Sequence, residues 1–240
     1  MQGNEVIGSF RLTTKTPRTS DEFGLCIKEL LDMTKLQDDD IEAVIISSVV
    51  PKIMYSLTSA IVKFLHKDPI IVGPGIKTGI SIRTDNPREV GADRIVDISM
   101  AYHTYHKSCI IVDFGTATTF DYISGEGVFK YTVIAPGLGI VANALTSQTA
   151  KLPEIEIQKP ESILNGNTIT GMQAGVIYGY IGSVEYIIKQ MKKELKLKDC
   201  LVIATGGLGK VIAKETKEID LFDPDVAYKG MRILYDLNKK

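Results

Sequence analysis

The chain has 240 residues, of which 28 are basic and 29 acidic, giving a formal net charge of −1. This balance indicates neither nucleic acid nor an anionic membrane surface as a partner, and no apolar run approaches the length needed to cross a membrane. The three cysteines lack CxxC spacing, which is typical of free thiols in a reducing compartment. We therefore expect a cytoplasmic protein that binds neither nucleic acid nor a membrane.

Strands and helices alternate in the first part of the chain. The segment Glu5–Thr14 alternates apolar and polar residues and predicts a strand, with a turn before it at Gly3-Asn4. Capping-box spacing at Thr19–Glu22 predicts the start of a helix. The apolar segment Ile41–Val50 predicts a buried strand that ends at Pro51, where a second helix begins. This alternation predicts an α/β fold.

The motif Gly91-Ala92-Asp93-Arg94 opens a predicted helix that runs to about Tyr105. Asp93 falls in the first turn, where the helix dipole favours an anion. Two interpretations remain open: a functional carboxylate, or an ordinary helix-start aspartate with a salt-bridging arginine.

The central stretch from Ile110 to Tyr122 predicts a strand, a tight turn and a second strand. Gly115 lets a ligand approach the backbone, and the amides and threonine hydroxyls around Thr116 are suited to an anion. Asp113 stands at the end of the first strand, and a carboxylate beside a phosphate requires a cation between them. The alternative is an ordinary hairpin with polar turn residues.

Asn167-Thr168 opens a long predicted helix, roughly residues 169–195. Its glycines recur at intervals of three or four residues: Gly171, Gly175, Gly179 and Gly182. Such a face permits close helix approach, either in a self-paired dimer or against the protein's own sheet. Farther on, a strand ends at Gly206-Gly207, where the flat face of a nucleotide can lie on the backbone, although the spacing is not that of a Walker A loop.

Six segments occur in an order that closely resembles type III pantothenate kinase: SSVVP at 47–51, DNPREVGADR at 85–94, DFGTATTFD at 113–121, TAKLP at 149–153, GNT at 166–168 and TGG at 205–207. The resemblance implies an α/β fold of two ribonuclease-H-like domains of the actin-like ATPase superfamily, at 1–107 and 108–240, with the pantothenate loop in the first. The implied reaction transfers the γ-phosphoryl group of ATP to pantothenate, yielding 4′-phosphopantothenate in the first step of coenzyme A synthesis.

The resemblance also implies roles for individual residues on the pantothenate side. Asp93 matches the catalytic base, and Gly91, Ala92, Asp93 and Arg94 match substrate contacts. Thr84 falls where the family has another substrate contact, often an aromatic residue. Thr168 matches a substrate contact that is expected to reach across the interface of a homodimer.

On the nucleotide side, Asp113 matches the ligand of a monovalent cation, K⁺ or NH₄⁺, and Thr116 matches an ATP contact. We add Gly115, Gly206 and Gly207 as ATP-binding positions from their turn chemistry. Magnesium is expected to accompany ATP.

One departure from the family pattern concerns the start of the chain. Family members begin with a strand, an Asp-x-Gly-Asn-Thr turn and a second strand, and no stretch of this sequence matches that segment. We therefore expect the first domain to lack its opening strands, and the 240-residue chain to lack kinase activity without them. The alternatives are an active kinase whose N-terminus is incomplete here, a silent ligand-binding or transcription-accessory protein, and another phosphotransferase or phosphatase of the superfamily.

Overall fold

The computed structural model describes residues 1–14 and 17–239. Their contacts form two compact units. The first contains Met1–Gly79, Asn86–Met100 and the C-terminal segment from Ala227, and the second contains Ile80–Asp85 and Ala101–Val226. The predicted domains, 1–107 and 108–240, remain a prediction, but the contacts assign the C-terminal segment to the first unit rather than to the second.

Within the described residues, the helices are α1 (Ser20–Met33), α2 (Pro51–Leu65), α3 (Ala92–Tyr105), α4 (Leu138–Ser147), α5 (Thr168–Glu194), α6 (Gly209–Ala213) and α7 (Val226–Asn238). The strands are β1 (Ile45–Ile46), β2 (Ile70–Ile71), β3 (Ser81–Ile82), β4 (Cys109–Phe114), β5 (Ala117–Ile123), β6 (Val128–Pro136), β7 (Leu201–Thr205) and β8 (Leu221–Phe222). A search of the same residues finds no helix with the length and apolar character that a bilayer crossing demands.

The second unit is built on a six-stranded mixed sheet in the order β3-β6-β5-β4-β7-β8. Strand β4 pairs antiparallel with β5 and parallel with β7, so it lies at the centre of the sheet. The apolar run of β4 is buried, and Ile110 and Val112 on one of its faces pack in one core with Ile177 and Ile188 of α5. The sheet and its helices confirm the predicted α/β fold.

Local signals in the sequence account for several element boundaries. Thr19 Oγ1 accepts a hydrogen bond from the Glu22 amide at 3.2 Å, and Glu22 Oε2 accepts one from the Thr19 amide at 2.7 Å. This confirms the predicted capping box at the start of α1. Asn167 caps α5 in a similar way, since its Oδ1 accepts a hydrogen bond from the Thr170 amide at 3.0 Å.

In the first unit, β1 and β2 form a two-stranded parallel sheet. The apolar faces of α1 and α2 pack near it, with Ile46, Ile61 and Leu65 at the centre of the cluster. The predicted strand over Ile41–Val50 is too long, because ladder pairing with β2 extends over Ile45–Ile46 alone. A parallel strand lasts only as long as its partner.

The predicted strand over Glu5–Thr14 is wrong, although the turn before it is confirmed. Gly3 has a φ of +57°, and the amides and carbonyls of Gln2 and Glu5 bond to each other across the turn. After Glu5, the described residues up to Thr14 have no strand pairing, and Ile7, Phe10 and Leu12 are exposed. The alternation marks a segment that can pair, but a strand forms only where backbone groups find a ladder partner.

Candidate active site

The hairpin of β4 and β5 carries the first cluster of predicted site residues, in the second unit. Its closing register pair is Phe114 with Thr118, both buried, and the turn between them, Gly115-Thr116, is exposed. The predicted strand, turn and strand are therefore confirmed. The backbone and hydroxyl of the turn are accessible to a ligand, while the strands that hold it are fixed in the core.

The neighbouring strand β7 brings a second motif to the same place. Asp113 pairs in register with Thr205, and the chain then passes into Gly206 with a φ of +92°. A Cβ built on Gly206 would lie 2.6 Å from Oδ1 of Asp113 and 2.6 Å from the carbonyl oxygen of Phe114. Only glycine fits this conformation and this space. Carboxylate and carbonyl oxygens that lie so close together are the ligands hard cations prefer.

Gly137, which sequence analysis did not select, fixes the turn from the other side. Its amide donates to the carbonyl oxygen of Thr116 at 3.0 Å. A Cβ at this position would clash with the Thr116 carbonyl oxygen and would lie 2.5 Å from that of Gly115. The sequence signal was a Pro-Gly pair directly after a strand, which marks a turn but does not reveal its contact.

The Gly91–Arg94 motif forms the second cluster, in the first unit. Helix α3 begins at Ala92, which is buried, and Asp93 is exposed in the first turn. Asp93 Oδ1 accepts a hydrogen bond from the Arg94 amide at 2.8 Å. A Cβ on Gly91 would collide with this same oxygen and would lie 3.3 Å from Cγ1 of Val49. The orientation of the Asp93 carboxylate is therefore set by a helix-terminal amide and by the absence of a side chain at Gly91.

The remaining predicted residues have separate positions. Thr84 lies two residues after the Ser81–Ile82 strand in the second unit, and its buried Oγ1 finds no hydrogen-bond partner in the described chain. Thr168 is the exposed first residue of α5, and Gly207 is exposed in the turn after Gly206. The structure thus assembles two clusters: Asp113, Gly115, Thr116 and Gly206 in one, and Gly91, Ala92, Asp93 and Arg94 in the other.

Among the described residues, no three or more His, Cys, Asp or Glu side chains gather in a way that could hold a metal ion. The oxygens beside the turn that are of the type hard cations prefer are the carboxylate of Asp113 and the carbonyl oxygen of Phe114. A phosphate oxygen is the kind of group that completes such a ligand set.

Comparison with known proteins identifies the family. A sequence model described as type III pantothenate kinase matches residues 1–190. The chain belongs to the type III pantothenate kinase family. It is 50% identical over 233 residues to a type III pantothenate kinase of Agathobacter rectalis, covering 97% of this chain and 90% of that protein. It is 48% identical over 240 residues to one of Bifidobacterium longum strain DJO10A, covering 100% of this chain and 94% of that protein.

The solved structures add a likeness of fold to this family assignment. A crystal structure of a conserved protein from Campylobacter jejuni, described as a Baf family transcriptional activator, superposes with a TM-score of 0.55. The two chains share 18% sequence identity, and the match covers 88% of each. This likeness supports the fold alone. Both clusters of site residues contain segments by which the sequence resembles the type III pantothenate kinase family.

Proposed function

We propose, against the expectation that the chain lacks kinase activity without an Asp-x-Gly-Asn-Thr segment, that it transfers the γ-phosphoryl group of ATP to the primary hydroxyl of pantothenate, forming 4′-phosphopantothenate at the first step of coenzyme A biosynthesis. Membership of the family and relatives at 50% and 48% identity support this activity. The observation that carries it is the convergence of Asp113 and Gly206 beside the exposed Gly115-Thr116 turn. A carboxylate beside turn amides and a positive-φ glycine is suited to a cation and a phosphate group.

The nucleotide side of the proposal uses the second unit. Gly115 and Thr116 bind the phosphates of ATP. Gly206 and Gly207 contact the nucleotide through backbone that no side chain covers. Asp113 holds a monovalent cation, K⁺ or NH₄⁺, with the Phe114 carbonyl oxygen as its neighbour. Such a cation, with Mg²⁺ on the ATP, would supply positive charge against the phosphates, which phosphoryl transfer requires because its transition state is stabilised mainly by position and charge.

The proposed catalytic base on the acceptor side lies in the first unit. Asp93 accepts the proton of the pantothenate hydroxyl as the new O–P bond forms and the bond to ADP breaks. The Arg94 amide donates a hydrogen bond to Oδ1 of Asp93, so we assign Oδ2 as the atom that accepts the proton of the pantothenate hydroxyl. The Arg94 guanidinium neutralises negative charge, either on the transferred phosphoryl group or on the pantothenate carboxylate.

Further contacts with pantothenate come from Gly91, Ala92, Thr84 and Thr168. The buried hydroxyl of Thr84 supports its inclusion, since an unpaired buried polar group costs free energy unless a ligand pairs with it. Gly91 is included for a different reason, because its missing side chain leaves room for the Asp93 carboxylate.

We also propose that the protein is a homodimer through α5 and that Thr168 faces the neighbour's pantothenate. Gly171, Gly175, Gly179 and Gly182 are exposed, and a Cβ on any of them would meet nothing within 4 Å. Packing on the protein's own sheet therefore does not explain these glycines, whereas close approach of a second helix does. Ile169 and Tyr186 of the same helix are 49% and 69% exposed.

A cytoplasmic location completes the proposal. Cys26, Cys109 and Cys200 are all free thiols. Thiols persist in this state in a reducing compartment.

The test of the proposed function is ATP-dependent phosphorylation of pantothenate, followed by mass spectrometry, with Asp93→Asn as the decisive variant. Asparagine keeps an acceptor for the Arg94 amide but removes the base, so kcat should fall by at least about 10²-fold while the melting temperature stays near that of the wild type. Asp68→Asn, at an exposed position of the same unit, is the matched control and should keep the wild-type kcat. An Asp93→Asn protein with near-normal kcat would exclude Asp93 as the base.

A further inference from the structure

Tyr180 lies on the buried face of α5 and contacts the hairpin that ends in the Gly115-Thr116 turn. Its hydroxyl lies 2.5 Å from Oγ1 of Thr118 and donates to the carbonyl oxygen of Pro136 at 3.0 Å. Because a tyrosine hydroxyl has one proton and that proton goes to Pro136, Thr118 must be the donor in the other bond. The Tyr180 ring also packs on Phe114, with ring centroids 6.4 Å apart.

These contacts reach both strands of the hairpin and the end of β6. Phe114 and Thr118 are the closing register pair of the hairpin. Pro136 is paired with Ala117, the residue that follows the turn. Gly137 comes next and donates its amide to the Thr116 carbonyl oxygen at 3.0 Å. The Tyr180 hydroxyl therefore links β5 to the end of β6 just before Gly137, and its ring adds a contact with Phe114 of β4.

The link lies in the protein interior, where hydrogen bonds are strong and costly to lose. Thr118 has no exposed surface, and Tyr180 is 8% exposed. Burial raises the pKa of Tyr180, which keeps its hydroxyl protonated. Without that hydroxyl, Thr118 would lose a buried bond and the Pro136 carbonyl oxygen a partly buried one, while a phenylalanine ring would still fill the space.

We propose that Tyr180 is a positioning residue for ATP, since its hydroxyl fixes the Gly115-Thr116 turn in the conformation that receives the phosphates. This inference rests on the proposed function, because it takes that turn as the phosphate site. Tyr180 acts through Thr118 and Pro136.

The test is Tyr180→Phe in the full chain, compared with Tyr178→Phe. The Tyr178 hydroxyl comes from the same helix but donates to the Pro160 carbonyl oxygen at 3.4 Å, away from the hairpin. We expect Tyr180→Phe to raise the Kd for ATP, measured by titration calorimetry, by about three- to tenfold. This change in Kd corresponds to the net free energy of one hydrogen bond. The KM for pantothenate should not change. Hydrogen exchange at the Gly137 amide should accelerate, and Tyr178→Phe should leave all three quantities at wild-type values.

A second pair of variants keeps the proposal testable if Tyr180→Phe does not fold. Thr118→Val removes the same buried bond and should raise the Kd for ATP, whereas Thr118→Ser keeps a hydroxyl and should restore wild-type binding. If Tyr180→Phe and Thr118→Val lower only the melting temperature, with ATP binding and Gly137 exchange unchanged, the role is structural and the proposal is overturned.

Variants of the turn separate this failure from failure of the proposed function. Asp113→Ala and Thr116→Ala should both weaken ATP binding. If they do so while Tyr180→Phe and Thr118→Val do not, the proposal for Tyr180 alone is overturned. If neither turn variant changes the Kd for ATP, the phosphate site is wrongly assigned and the proposal for Tyr180 is overturned with it.

Discussion

Gly206 lies so close to Asp113 that a methyl group on its Cα would come within 2.6 Å of the Asp113 Oδ1. The two residues are 93 positions apart in sequence order and meet because β4 and β7 are parallel neighbours in register. The glycine is required both by this contact and by its φ of +92°.

Gly206→Ala should therefore damage both stability and ATP binding. The backbone conformation is strained for alanine, which costs at least about 1 kcal/mol, and the methyl group must displace either the Asp113 carboxylate or the Phe114 carbonyl. Thermal melting and ATP titration measure the two effects. Gly73→Ala, where a Cβ would meet nothing within 4 Å, is the control. Wild-type ATP affinity in Gly206→Ala would contradict the assigned phosphate site.

Gly91→Ala should affect kcat more than folding. The new Cβ would collide with Oδ1 of Asp93, and this oxygen is the movable end of a side chain, so the carboxylate can rotate away without moving the backbone. We expect a lower kcat and a free energy of unfolding within about 0.5 kcal/mol of the wild type. In an Asp93→Asn background the same change should cause little further loss, because both variants act on one group. Additive losses would argue against the shared cause.

Activity should depend on a monovalent cation at Asp113. The Asp113 carboxylate and the Phe114 carbonyl oxygen both border Gly206, and a phosphate beside the cation site proposed there needs the intervening charge. Initial rates in sodium, potassium and ammonium salts of equal ionic strength provide the measurement. Potassium and ammonium should support higher rates than sodium, and Asp113→Ala should abolish the difference. Equal rates in the three salts, together with a harmless Asp113→Ala, would refute the cation site.

Cys109 and Cys200 should react slowly with thiol reagents in the folded protein. Burial raises the pKa of Cys109 to about 12 and that of Cys200 to about 11, and only the thiolate is nucleophilic. Labelling at both sites should therefore speed up by about tenfold when the pH rises from about 8 to about 9, as the thiolate fraction grows. Mass spectrometry of labelled peptides distinguishes these cysteines from Cys26. Rapid labelling of Cys109 at the lower pH without denaturant would show that its burial is not maintained.

Gly175→Leu should convert the proposed dimer into a folded monomer. A side chain at Gly175 has open space within its own chain, so the fold should tolerate it, but two helices could no longer approach closely. Light scattering at micromolar concentration reports the mass, and circular dichroism reports the fold. Lys193→Leu, at an exposed position in the last turn of α5, is the control. Wild-type protein that is monomeric at this concentration would exclude the dimer.

The sequence by itself determined those features that have local causes. The capping residues Thr19 and Asn167 marked helix starts because their side chains bond to amides three residues away. The apolar run before Asp113 predicted a buried strand because a strand whose two faces are both covered has apolar side chains in succession. The order of short motifs likewise identified the family, which the 1–190 match confirmed.

Tertiary structure decided every feature that depends on partners far away along the chain. Glu5–Thr14 has an alternating pattern, but the described residues after Glu5 lack strand pairing, so the pattern alone did not produce a strand. The register of β4 with β7 brought Gly206 to Asp113. The bond between Thr118 and Tyr180 joins residues 62 positions apart. Side-chain periodicity specifies which face of an element is buried, whereas the identity of the group that it meets depends on how the whole chain packs.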